Sequence, residues 1–173
     1  MKGLSIVAVV LAFCAAGCGS SSSSTSPTNG APTFTATLLP ANETPPITNA
    51  ESVGSGAATI VFNVTKDASG NVSTASVDFT ASMFGFPSTT VVTIAHIHQG
   101  AFGVGPGPVV VPAVAKAGTI ALTNGSGTFT ATQSGVDPAL AQAILNNPSG
   151  YYFNIHTSLN PGGVMRGQLV PVQ

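Results

Sequence analysis

Charge is what this chain has least of. Its 173 residues carry 4 Lys and Arg against 5 Asp and Glu, a formal net charge of −1. Neutralising a phosphate backbone takes a cluster of basic side chains, so nucleic acid is excluded as a partner. Cysteine is almost as scarce: the chain has 2, Cys14 and Cys18. From Pro32 onward there is none, which rules out a disulfide framework, a thiolate metal site and a cysteine nucleophile. The remaining stretch of about 140 residues must be held by its hydrophobic core, and it is long enough to bury one. No Gly-x-Ser-x-Gly elbow occurs, which removes one common class of hydrolase. Paired carboxylates for glycoside chemistry are equally hard to find. Glu43 and Glu51 lie in a Pro-rich segment, Asp67 in a turn and Asp137 at a helix start, each with a structural role to fill.

Long apolar runs are confined to the N-terminus. Lys2, the apolar stretch from Leu4 to Phe13 and the small-residue exit Ala15-Ala16-Gly17-Cys18 read as an export signal over residues 1–17, too short to span a bilayer permanently. Small residues before a cysteine resemble the lipobox of bacterial lipoproteins, although Ala15 stands where Leu is usual. Cleavage there would leave Cys18 as the lipidated first residue. The Ser-rich tract that follows reads as a tether over residues 18–32, whose ~14 residues reach about 20 Å as a random coil. With Gly19 after the cysteine instead of Asp, the resemblance implies an exported protein sorted to the outer membrane and held to the envelope by lipid alone.

The domain, residues 33–173, shows the rhythm of an all-β fold: an antiparallel, Greek-key-like β-sandwich with one short helix. Thr, Val, Phe and Ile recur between Gly, Asn, Asp and Pro punctuation. Phe34, Ala36 and Leu38 alternate with Thr33, Thr35 and Thr37, giving one buried and one wet face. Further strands are expected at 57–64, 72–81, 91–98, 109–111, 118–122, 127–132, 151–157 and 164–170. Lys66 to Asn71 and Asn124-Gly125 supply hairpin turns. Asp137 as N-cap with Pro138 behind it starts the helix, and Leu140, Ile144 and Leu145 are spaced to face a sheet.

What is present is concentrated. All 3 histidines fall in two segments, Ala95-His96-Ile97-His98-Gln99-Gly100 and Phe153-Asn154-Ile155-His156-Thr157. His96 and His98, two apart on a strand, leave one face about 6.5 to 7 Å apart at Cα. If the second segment is a neighbouring strand, His156 completes a three-histidine site for one copper or zinc ion. Met165 could add a thioether, though a core role explains it as well. The alternatives are a metal-free cluster hydrogen-bonded to Asn154, Thr157 or Gln99, and a pocket for a non-metal ligand. Arg166 offers a bidentate donor to an anion, or a pair with Glu43, Glu51, Asp78 or Asp137. Phe102 tips a Gly-rich loop that lacks the Lys and helix of a phosphate cradle, and reads as a contact residue.

Four blocks stand in a characteristic order. Phe34 to Leu38 leads to Asn42-Glu43-Thr44-Pro45-Pro46, followed by Ala95-His96-Ile97-His98 with Gly107-Pro108-Val109-Val110. Then come Tyr152-Phe153-Asn154-Ile155-His156-Thr157 and Pro161-Gly162-Gly163-Val164-Met165-Arg166-Gly167-Gln168-Leu169. Together they resemble the CHRD domain, a family named after the secreted antagonist chordin and also found in exported bacterial proteins. Leu39-Pro40 and Val164 depart from the usual pattern without touching the histidines. The family's role is unsettled, so the resemblance implies little about function; the expectation is a non-enzymatic, lipid-anchored binding module that presents the histidine corner to a protein or small ligand at the cell surface. The competing expectation is a mononuclear copper or zinc protein with redox or metal-handling activity. A His-x-His strand in an exported sandwich resembles the copper strand of Cu,Zn superoxide dismutase, but three histidines are too few for that two-metal site.

Overall fold

The computed structural model describes residues 30–114 and 120–173. The signal segment, Cys18, most of the tether and the start of the strand expected at 118–122 lie outside the described residues. Among the described residues, nine strands form two antiparallel sheets packed face to face. They are β1 (Thr33–Leu38), β2 (Ser55–Lys66), β3 (Val72–Phe84), β4 (Val92–Gln99), β5 (Val109–Val114), β6 (Gly127–Val136), β7 (Tyr151–Thr157), β8 (Met165–Gln168) and β9 (Val170–Pro171). One sheet runs β6-β3-β2-β1-β9 and the other β5-β4-β7-β8. After the β4–β5 hairpin the chain returns to place β6 beside β3, then crosses again to place β7 beside β4. This is the over-and-back winding of the expected all-β sandwich.

Alternation explains the core. Phe34, Ala36 and Leu38 of β1, Ile60 and Phe62 of β2, and Val77, Phe79 and Ala81 of β3 all point inward and are buried. They meet Ala95, Ile97, Phe153, Ile155 and Met165 from the second sheet, with Phe79 stacked on Phe153 at 5.6 Å between ring centroids. The helix α1 (Pro138–Asn146) starts as expected, Asp137 Oδ1 accepting from the Leu140 amide at 2.8 Å. It packs on β3 through Ala141 and Ile144, whereas Leu140 and Leu145 are only half-buried. Among the described residues no helix is long and apolar enough to cross a membrane.

Two strand expectations need correction. Ile120 to Leu122 form no strand, because the backbone here closes a tight Thr123–Ser126 turn and the Gly125 carbonyl accepts from the Phe86 amide. The expected 164–170 strand divides at Leu169, which is 1% exposed and carries the chain from one sheet to the other. Gly167 permits the crossing: a Cβ there would lie 2.2 Å from the Thr37 carbonyl oxygen.

Candidate metal centre

A half-buried antiparallel sheet ordinarily gives its polar face to water. The second sheet does not, since every residue of β7 is buried. Its inner face is apolar, and its outer face carries the rows His96–Asn154–Arg166 and His98–Tyr152–Gln168 across β4, β7 and β8. Chain segments around residues 40–54, 100–108 and 158–163 make hydrogen bonds with side chains of this face. Buried polar groups must find partners, and on this face most do so among the loops while a few, His98 Nε2 and Asn154 Oδ1 among them, have none among the described residues.

His156 stands one step along β7 from the rows. Between Val92 and Ala95, β4 carries one residue more than the facing stretch of β7 from Thr157 to Ile155. Such a bulge bends its strand and re-aims nearby side chains. Here Nε2 of His156 and Nε2 of His96 lie 2.8 Å apart. The ring centroids of His96 and His98 are 4.5 Å apart, and one ligand nitrogen from each of the three rings lies within 4.8 Å of the other two. Two nitrogens sharing a tetrahedral ion at 2.0–2.1 Å sit about 3.3 Å apart, a value inside the observed span.

The outer nitrogens fix the tautomers. His98 Nδ1 donates to the Gly107 carbonyl at 2.6 Å and His156 Nδ1 donates to the Pro161 carbonyl at 2.9 Å, since a carbonyl only accepts. Both therefore present Nε2 lone pairs inward, and that of His98 is buried with no partner among the described residues. Facing His156, His96 donates from Nε2. A backbone carbonyl on the far nitrogen is the usual support of a metal-bound imidazole. Burial holds all three rings below the ordinary histidine value. For His96, burial and then the neighbouring His156 and His98 bring the pKa down to about 3. His98 and His156 are lowered chiefly by burial, partly opposed by the Gly107 and Pro161 carbonyls respectively. All three are neutral imidazoles near pH 7, the form that binds metal.

Met165 is not part of this centre. It lies on the opposite face of β8, with its methyl 2.8 Å from where a Gly56 Cβ would stand, so its role is core packing. Arg166 pairs with Glu43, at 3.9 Å, and not with the other carboxylates. Its Nε donates to the Asn42 carbonyl at 2.6 Å, its Nη2 to the Val104 carbonyl at 2.9 Å and to Thr44, and its guanidinium lies 4.7 Å from the Tyr152 ring centre. Tyr152 in turn stacks on His98 at 4.9 Å. Asn154 lies between His96 and Arg166 but has no hydrogen bond to either, and its Oδ1 is buried without a partner among the described residues. Phe102 is 69% exposed in its loop.

Two acidic residues, read in the sequence only as structural residues and candidate partners of Arg166, have further roles in the structure. Glu51, 2% exposed, accepts from Thr157 Oγ1 at 2.5 Å and Asn160 Nδ2 at 2.6 Å, tying the turn of residues 50–53 to the segment after His156. Glu43 is buried against Arg166, and desolvation raises its pKa to about 7 in spite of that cation. The signal available for both was their rarity in a chain with 5 acids.

A β-sandwich whose polar sheet face is roofed by loops over three convergent histidines defines the class of this domain. Residues 34–169 match the CHRD domain family, and the chain belongs to it. No curated protein and no solved structure matches the chain.

Proposed function

We propose that this CHRD domain is a non-enzymatic binding module of the bacterial cell envelope, anchored by lipid on Cys18, whose three-histidine centre holds one copper or zinc ion. The observation that carries the metal is the pairing of inward lone pairs with outward Nδ1–carbonyl bonds at His98 and His156. A purely structural cluster would not leave His98 Nε2 buried and without a partner among the described residues, because such a group costs about 1 to 3 kcal/mol. With Met165 on the other face, the donor set is all nitrogen, which suits zinc and copper and favours copper by intrinsic affinity. The rings are 5 to 6% exposed, which favours an ion that shapes a binding surface over one that turns over substrate. Anchoring rests on the lipobox-like segment and the Ser-rich tract behind it.

The test is elemental analysis of the full chain, purified without an affinity tag and re-titrated with copper and zinc, beside His98→Ala. About one ion per chain, lost in the variant with the fold kept, supports the centre. No metal above background in either protein returns the histidines to hydrogen bonding. Redox cycling of a copper-loaded chain separates a binding module from the alternative, a redox or metal-handling protein.

A further inference from the structure

Beside the histidines, and distinct from them, a cavity of about 380 Å³ lies between the loops and the β7–β8 edge of the polar face. This is within the range of small-ligand sites. Its walls include Glu43, Pro46, Tyr152, Asn154, Pro161 and Arg166. Two side chains here lack what a buried polar group needs. Glu43 Oε1 and Asn154 Oδ1 are both buried without a hydrogen-bond partner among the described residues, and the two residues are only 7% and 2% exposed. The Arg166 Nε at 3.9 Å from Glu43 is too distant for a hydrogen bond. Gly163 holds the space open. At φ 126° it adopts a conformation that side-chain-bearing residues avoid, and a Cβ there would lie 2.8 Å from Glu43 Oε1 and 2.9 Å from Asn154 Oδ1.

We propose that this cavity binds a neutral polyhydroxylated ring, a carbohydrate, whose hydroxyls donate to Glu43 and Asn154 while its C–H faces lie against the prolines. With Glu43 ionised, above its raised pKa of about 7, the formal charges of the walls cancel. Glu43 faces Arg166, whose donors are largely committed to Asn42, Thr44 and Val104. A cation therefore meets a guanidinium, and an anion meets a carboxylate. The unmet need is for hydrogen-bond donors without net charge. Hydroxyls supply them, and Pro46, Pro161 and Ile47 supply the apolar rim on which a sugar ring packs. The inference goes beyond the metal reading and does not depend on it.

Saturation-transfer NMR tests it on the full chain in sugar-free micelles, with and without added zinc. The probes are methyl glucoside, galactoside and mannoside and N-acetylglucosamine, with methylammonium and acetate as controls. At least one sugar is expected to bind with a Kd of about 1 mM or tighter, in both metal states. Glu43→Gln, which replaces an acceptor oxygen by a donor, should weaken it at least about tenfold. Gly162→Leu, on the cavity wall at a position where a Cβ meets nothing within 4 Å, adds bulk there without altering Glu43 itself and should also weaken binding. Transfer to none of the sugars, transfer only to a charged control, or unchanged affinity in both variants overturns the proposal. Failure of metal analysis leaves this result unaffected, so the two readings fall separately.

Discussion

His156 Nε2 lies 2.8 Å from His96 Nε2 while His156 Nδ1 donates to the Pro161 carbonyl, so one ring is held from both ends. The carbonyl forces the inner nitrogen of His156 to accept. His96 must then donate, and it can become a metal ligand by moving its proton to Nδ1. Binding at neutral pH thus needs a tautomer change and no net loss of protons.

Metal loading should stabilise the fold. At a free-ion concentration of 100 Kd the gain is about 2.7 kcal/mol for a single site, seen as a higher urea midpoint. In His98→Ala the same addition should leave the midpoint unchanged.

The loop behind His98 should matter as much as a ligand. A Cβ on Gly107 would stand 1.6 Å from the Gln99 carbonyl oxygen, so Gly107→Ala must shift backbone that carries the carbonyl accepting from His98. Loss of such support weakens metal binding about 10- to 100-fold. Competition against a chromophoric chelator would measure it, and an unchanged affinity would show that the carbonyl is not orienting the ring.

In the metal-free protein the pH profile should have two opposed limbs. Burial depresses the histidines, His96 from 6.5 down to about 3, so between these values the unfolded chain binds protons that the folded chain does not. The stability that depends on the neutral rings is complete above pH 6.5 and is lost as pH falls toward 3. Glu43 is shifted the other way, from 4.5 to about 7. Its contribution is complete below pH 4.5 and is lost as pH rises through 7. Urea unfolding across this window should therefore show a steeper gain toward neutral pH in Glu43→Gln than in the parent chain.

The Glu51 network predicts a cost without a loss of chemistry. Thr157→Val removes the hydroxyl that donates to Glu51 and also accepts from the Asn160 amide, leaving a buried carboxylate short of one partner. About 1 to 3 kcal/mol of stability should be lost. Metal stoichiometry should stay near one if His156 is positioned mainly by Pro161; a fall in occupancy would show that the network also holds the ring.

Much of this was legible in the residues themselves. Alternation in Thr33 to Leu38, the Asp137-Pro138 start and the Asn124-Gly125 turn each follow from local sterics and hydrogen bonding, and local rules act on neighbours in the chain. His96 and His98 share a face for the same reason, since side chains on a strand repeat every second residue. Family membership, too, was carried by ordered blocks of sequence. Tertiary structure alone decided the rest. It brought His156 to His96 across 60 positions and selected Glu43 among four carboxylates for Arg166. It turned the last strand from one sheet to the other at Leu169 and roofed a polar sheet face that alternation assigns to water. Those outcomes depend on which strands pair, where a bulge adds a residue and which loops fold back. These relations join parts of the chain whose separation no local pattern records.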